Sequence, residues 1–549
     1  MKNNNLKPTL IKLLITVVVG AVYFYVALPA INLQDPEFYT FFMLLLGLYC
    51  FLSIVSQGIR VSATPSELWQ SIRQHSTLPL VVLLVLVAIY GVGTLLSSPV
   101  LRSRSYRDLL TVETGDFTAE IEEISFNQIP MLDEDSARRL GDRRMGEMAD
   151  MGLVSQFEVA SDYTQINYNG HPVRVTPLRY GDPIKWLNNR KSGIPAYMII
   201  DMVKQNVEVV RISEIMPDKT GIFYSTAEHF TRNLARHLRF NYPTYMFDPA
   251  NFEIDEDGVP YWVCPRVVKR IGLFGGKDID GAVLVNAVTG ESQYCAAGEI
   301  PSWVDRVFTS SLIMQQYDYH GQYQNGFINS ILGQRDVTVT SEGYNYIAVG
   351  DDVYMYTGIT SGGADFSIIG FILTNQRTKE TVFYPVAGAM ETSAMGSARG
   401  AVQHLNYSST FPLLLNISSQ PTYFMALKDA AGLVKKYAMV NVVEYNIVAT
   451  GDTVSETNLN YIELLARSNL FPGTVQDTET ISGVIDDIRT AVIEGNTRVY
   501  LRLQGNDFYY SVSAADSELA IVLNIGDRIS LNTAANSGII RPAYGLELH

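Results

Sequence analysis

The side chains in this sequence best suited to chemistry are seven histidines, three cysteines and a handful of acidic or glycine-rich turns. His229 and His237 fall on one expected helix, but not at the i, i+4 spacing that lets two imidazoles grip one ion. Arg232, Arg236 and Arg239 beside them repel cations, so packed or surface histidines are expected. Asp255-Glu256-Asp257-Gly258 and Asp278-Ile279-Asp280-Gly281 present carboxylate oxygens of the kind calcium takes. Neither runs on into a loop with the closing Glu of an EF-hand, and both read as acidic turns ahead of strands. Ile271-Gly272-Leu273-Phe274-Gly275-Gly276-Lys277 ends in Lys like a phosphate loop, but Asp278 follows where Ser or Thr should open a helix. A hairpin loop is expected there. No Gly-x-Ser-x-Gly elbow is present and no cysteine stands in a nucleophile context.

No metal, cofactor or catalytic set is therefore expected, and the chain reads as non-enzymatic. The alternative is an enzyme whose site is dispersed through the chain. Cys50 lies in a hydrophobic run, while Cys264 and Cys295 end the strand-like segments Tyr261–Cys264 and Ser292–Cys295. Two unpaired buried thiols are expected, with one bridge between Cys264 and Cys295 in an oxidising compartment as the alternative. The segment Tyr317-Asp318-Tyr319-His320-Gly321-Gln322-Tyr323 offers a contact surface, because the rings of Tyr317, Tyr319 and Tyr323 supply area while their hydroxyls stay wet. Cross-strand pairing of the tyrosines is the competing reading. A net charge of −15 argues against nucleic acid as a partner, since phosphate binding needs clustered Lys and Arg.

The elements that must position these residues begin in the membrane. Leu13–Ala30, Phe38–Ser56 and Leu78–Leu101 are three uncharged apolar runs, each with about 20 residues, the length that crosses the hydrocarbon layer as a helix. Lys2, Lys7 and Lys12 precede the first, Asp35 and Glu37 occupy the first loop, and Arg60 and Arg73 the second. That alternation predicts a multi-pass protein of the cytoplasmic membrane, with lipid as one partner and the large C-terminal body outside. Arg102, Arg104 and Arg107 after the third run pull the other way, but large domains translocate with little regard to flanking charge. No ionisable group is expected at mid-membrane, so the spans read as an anchor or assembly surface.

Beyond an acidic connector at 116–125, Asp133–Leu140 has acids first and arginines later, as a helix dipole prefers. From Gln156 onward apolar and polar residues alternate between turns, and Asn169-Gly170 sits between two such arms as a hairpin signal. An internal echo follows. Gly281, Leu284, Asn286, Thr289 and Glu291 recur with identical spacing as Gly370, Leu373, Asn375, Thr378 and Glu380. The pattern predicts a strand, a turn closed by the Asn side chain, and a returning strand. Helices are expected after each copy, over Ser302–Met314 and Glu391–Leu405, so duplicated α+β units are the reading.

The stretch Ala227–Tyr294 resembles a PepSY module: a helix, here Ala227–Phe240, then strands including Pro260–Lys269, ending in Val283-Leu284-Val285-Asn286-Ala287-Val288-Thr289-Gly290-Glu291. The second copy departs from it with Lys379 in place of the Gly. The resemblance covers about an eighth of the chain and implies a domain that binds or inhibits proteins rather than catalyses. Near the C-terminus, strands are expected at Ile481–Ile488, Val499–Leu503, Phe508–Val512 and Asp527–Leu531, joined by Gly-Asn and Gly-Asp turns. They resemble a small OB barrel. Arg498 and Arg502 are set there among Glu494, Asp507, Asp516 and Glu518, which denies the barrel a basic face.

The chain thus reads as α+β: a three-helix transmembrane anchor (1–101), a connector with a charged helix (102–155), a β-rich hairpin region (156–225), two PepSY-like units (226–330 and 331–450) and the barrel (451–549). The expected role is a membrane-anchored envelope protein of bacterial texture that binds protein partners or self-associates. The alternatives are a regulator of an envelope peptidase and an unrecognised envelope enzyme.

Overall fold

A computed structural model describes residues 6–55, 77–121, 129–147, 153–363, 367–468, 470, 478–493, 496–514, 517, 519–534 and 540–549. Lys2, Arg60, Arg73, Glu494, Asp516, Glu518 and residues 122–125 of the acidic connector lie outside the described residues. Three described helices are long and apolar enough to cross a membrane: Leu6–Ala27, Pro36–Val55 and Thr77–Leu96. The first starts earlier than expected and takes in Lys12. That lysine is buried, with Nζ 3.2 Å from Ser53 Oγ and facing the Tyr49 ring, so the second helix supplies the partners that let its charge enter the bundle.

The other end of the bundle carries the body. Asn32 Nδ2 donates to the Thr244 carbonyl, Gln34 Nε2 to the Lys269 carbonyl, and Arg239 Nε to the Leu28 carbonyl at 2.8 Å. The glycine-rich loop read as a hairpin tip performs the main docking. Its Leu273 and Phe274 amides both donate to Ser97 Oγ, at 2.8 and 3.0 Å, and the Phe274 ring lies 5.3 Å from both Tyr39 and Tyr90.

Four sheets in the body share one strand order. The first unit has the helix Glu134–Glu147 and strands Phe157–Val159, Thr164–Tyr168, His171–Tyr180, Ala196–Asp201 and Val207–Arg211. The second has Leu234–Asn241, then Met246–Phe247, Asn251–Ile254, Pro260–Ile271, Gly275–Asn286 and Ser292–Ala296. The third has Ser310–Gln322, then Thr338–Thr340, Asn345–Val349, Asp352–Ser361, Gly370–Asn375 and Thr381–Tyr384. The fourth has Glu391–Ala401, then Ser408–Ser409, Leu413–Ile417, Gln420–Lys428, Val434–Asn441 and Val448–Gly451. In each, two short strands follow one another along one edge of the long third strand, and the fourth and fifth continue as an antiparallel meander.

The units bury one another. Apolar side chains of the first and second sheets form one core, those of the second and third another, and those of the third and fourth a third. Strands such as Gly370–Asn375 and Leu413–Ile417 are consequently buried at every residue, with apolar neighbours on both faces. The fourth unit also returns to the first: Lys428 Nζ lies 2.6 Å from Asp133 Oδ2, and Gln205 Nε2 donates to the Tyr437 hydroxyl at 3.0 Å.

These contacts correct several expected boundaries. The charged helix assigned to the connector is the helix of the first unit, and the hairpin region 156–225 is chiefly its sheet. The helix expected over Ser302–Met314 runs over Ser310–Gln322, because the Val307 and Phe308 amides are engaged by the Gln376 carbonyl and hold that stretch extended. The division at 330/331 cuts the third unit, where the Thr340 amide donates to Asp318 Oδ1 at 2.8 Å and ties helix to sheet.

Residues beyond the fourth unit form a closed five-stranded barrel in the order Thr478–Ile493, Asn496–Leu503, Tyr509–Ser513, Ile540–Leu548, Arg528–Ala534. The strands Tyr509–Ser513 and Ile540–Leu548 run parallel, and the short helix Leu519–Val522 separates the third strand from the fourth in sequence. The last strand has no clear signal in the sequence, because Pro542 and Gly545 interrupt its alternation. A buried pair, Arg498 Nη2 to Glu456 Oε2 at 3.3 Å, joins the barrel to the helix Val454–Arg467.

Candidate functional site

The echoed motif forms one turn twice. Asn286 Oδ1 accepts from the Val288 and Thr289 amides at 3.0 and 2.8 Å, and Asn375 Oδ1 from Arg377 and Thr378 at 2.8 and 3.0 Å. Thr289 and Thr378 each take the amide of the following Glu, at 3.2 and 3.3 Å, leaving Glu291 and Glu380 exposed. Leu284 and Leu373 are buried; Gly281, at a bulge within its strand, and Gly370, which opens its strand, sit where a Cβ would collide with the carbonyl oxygens of Cys295 and Tyr384.

The same turn closes the other two sheets. Asp201 Oδ1 accepts from Val203 and Lys204, and Asn441 Oδ1 from Val443 and Glu444, all within 2.8–3.0 Å. In every unit the next residue completes a latch. Its amide donates to the carbonyl at the start of the third strand, Pro172, Pro260, Val353 or Pro421. Its carbonyl, of Met202, Ala287, Gln376 or Val442, accepts from the segment leading into the unit's helix, through Met131, Phe223 and Tyr224, Val307 and Phe308, or Ala389. The Asx side chain therefore orients one residue whose amide and carbonyl tie three parts of the unit together. The signal available in sequence was an Asp or Asn ending an aliphatic run, Met198-Ile199-Ile200-Asp201 and Ala438-Met439-Val440-Asn441.

At the fifth turn position Gln205, Gly290 and Lys379 are left-handed, with φ of 56°, 78° and 69°. The non-glycine residues bear about 1 kcal/mol of strain there. Lys379 offsets it with an ion pair to Asp278 on the second sheet and a bond to the Leu109 carbonyl.

Three units meet at a pair of buried acids. Glu253 accepts the Asp305 and Arg306 amides on its two oxygens, at 2.8 and 3.1 Å, and Asp305 Oδ2 accepts the Asn167 amide at 2.6 Å. Asn167 Nδ2 reaches on to the Gly350 carbonyl of the third unit. Burial raises the Glu253 carboxyl to about 7, against the pull of those amides and Arg306. Asp305 is raised by burial and then by Glu253, while the Asn167 amide lowers it. Among the described residues Asp305 Oδ1 has no hydrogen-bond partner, a state that a charged carboxylate in this setting bears badly.

The tyrosine surface is corrected. Tyr317 is buried on the inward face of its helix, and Tyr323, which caps that helix at its C-terminal end, is buried beside Tyr106. Tyr319 stacks on Tyr323 at 5.9 Å and meets Tyr106 edge-on at 4.8 Å, next to the end of the third span. Cys264 and Cys295 are free and buried. They pair with Val283 and Ala282, on opposite sides of the central strand, and face different cores, so the strand between them keeps the sulfurs apart. His229 packs on Trp186 and His237 on Tyr224. Asp255 Oδ1 is taken by the Asp257 and Val259 amides of its own turn. Among the described residues, no group of three His, Cys, Asp or Glu is placed to hold a metal ion.

No family model and no characterised protein matches the chain. Among solved structures, a mutant levansucrase of B. megaterium aligns at 9% identity over 80% of this chain and 98% of its own, with a TM-score of 0.17. A likeness at that level carries no argument about fold or activity.

Proposed function

We propose that the chain is a multi-pass, non-enzymatic protein of the cytoplasmic membrane that displays protein-binding modules on the outer side. The modules are four copies of one PepSY-like unit and a terminal OB-like barrel. The carrying observation is the Asx latch, made by Asp201, Asn286, Asn375 and Asn441 in four sheets of one strand order. Units that bury one another's faces act as repeat arrays do, offering broad surfaces for partners. The barrel's strand order, with its parallel third and fifth strands and intervening helix, supports the OB reading.

Lipid surrounds the spans, and the partners of the body are other proteins or further copies of this chain, not nucleic acid. Mass measurement and crosslinking of the full chain in detergent test this: crosslinked partners or oligomers are expected, and a lone monomer overturns it. Labelling of a Leu433→Cys variant with a membrane-impermeant thiol reagent tests the side. Reaction in intact cells is expected, and reaction only after lysis reverses the topology. The PepSY likeness also supports regulation of an envelope peptidase, which an unchanged peptidase rate on adding the full chain rules out for each peptidase tried.

A further inference from the structure

Two apolar faces flank the bundle at the level where the body docks. On the side of the first span, Arg236 stacks on Tyr25 at 4.6 Å and bonds its carbonyl, which sets Phe240 against Phe24 at 6.1 Å, a turn below the span's end. Phe240 remains 54% exposed beside a helix whose own apolar side chains face outward. On the side of the third span, the helix Pro99–Arg107 follows directly and is held by the Tyr106 hydroxyl on the Ser97 carbonyl at 2.6 Å. It exposes Val100 and Leu101, together with the cations Arg102 and Arg104. The helix Phe327–Leu332 packs on it through Phe327 and Tyr323, and turns Ile328, Ile331 and Leu332 outward at 73, 59 and 82% exposure.

We infer that both faces are seated in the headgroup and upper acyl region of the bilayer crossed by the spans, so that lipid clamps the body on two flanks. This rests on the three helices spanning a membrane. Continuity carries it: Phe240 packs directly on Phe24 of the first span, and the helix Pro99–Arg107, on which Phe327–Leu332 packs, begins only two residues after the third span. Large apolar side chains at the depth of a span's end gain by burial in lipid, and the adjacent arginines meet anionic phosphates there. A second copy of the chain would have to cover two separate faces on opposite flanks of one bundle, whereas lipid is present at both.

The test uses the full chain in vesicles of phosphatidylcholine and phosphatidylglycerol, spin-labelled in turn at Ile331→Cys, Phe240→Cys, Leu84→Cys in the third span and Leu433→Cys in the fourth unit. Collisions with oxygen, which partitions into lipid, are compared with collisions with a water-soluble nickel chelate. The oxygen-to-nickel ratio is expected to be highest at 84, intermediate at 331 and 240, and several-fold lower at 433. Ratios at 331 and 240 equal to that at 433, with 84 still in lipid, overturn the inference and leave the spans intact. Nickel access at 84 overturns the spanning reading itself. Labels at 331 shielded from both reagents, with dipolar broadening between copies, place a second chain there and overturn the lipid seat.

Discussion

Lys379 Nζ lies 2.6 Å from Asp278 Oδ1, joining the left-handed turn of the third unit to the central strand of the second, with both side chains largely buried. The residue that breaks the turn motif is thus the one that ties two sheets together. Lys379→Met keeps the backbone strain and strips Asp278 of its closest cation, so a loss of about 2 kcal/mol is expected in denaturant titrations. Lys379→Gly relieves the strain as it loses the pair and should cost about 1 kcal/mol less than Lys379→Met. Equal losses in the two variants would sink the account.

The Asx latch makes a chemical prediction. Asn286→Ala or Asn375→Ala leaves two turn amides without their acceptor and should cost about 2–3 kcal/mol. Asn286→Asp should cost far less, because Asp201 makes the same two bonds in the first unit. Melting of the purified variants in detergent checks the ranking, and an Asp variant as damaged as the Ala variant contradicts it.

The buried acid pair predicts a pH slope. Burial favours protonated Glu253 in the fold, so the unfolded chain gives up that proton first as pH rises from the ordinary Glu range, ~4.3. The stabilising contribution is complete below that range and is lost as pH rises to about 7, the value in the fold. Glu253→Gln cannot ionise but forfeits one amide bond at every pH, because its NH2 cannot accept, so its stability relative to the native chain should rise by on the order of 1–3 kcal/mol from pH 5 to pH 8. Chemical denaturation at both pH values measures it, and an offset independent of pH rejects the assignment.

Docking of the body on the bundle rests on Ser97 Oγ and the Phe274 ring. Ser97→Ala removes the acceptor of two amides, and hydrogen exchange at Leu273 and Phe274 should quicken about tenfold for a loss of about 1.4 kcal/mol. Phe274→Ala vacates the space between Tyr39 and Tyr90 and should loosen the loop further, by about 3 kcal/mol. Unchanged exchange at both amides would place the attachment elsewhere.

Short-range physics was readable from the chain alone. The three helices long and apolar enough to cross a membrane follow from the thickness of hydrocarbon, which no other helix among the described residues matches. Asn169-Gly170 makes its hairpin with φ of 53° and 76°, and Asn286 and Asn375 bond their own turns, because these bonds need only the residues that carry them. Two further turns carry no such motif, because Asp201 and Asn441 retain the acceptor without the surrounding Thr and Glu, and the acceptor is all the geometry requires.

Contacts between distant segments settled the rest. Whether Tyr317 was a wet surface or a core residue depended on which face of its helix the second sheet would cover. Cys264 and Cys295 have like surroundings in sequence, yet one strand between them sends their sulfurs into different cores. Glu253 and Asp305 are ordinary acids in the chain and become a coupled pair only where three units close over them. Local bonds are written in the residues that make them, while burial belongs to whichever segment arrives from elsewhere to exclude the water.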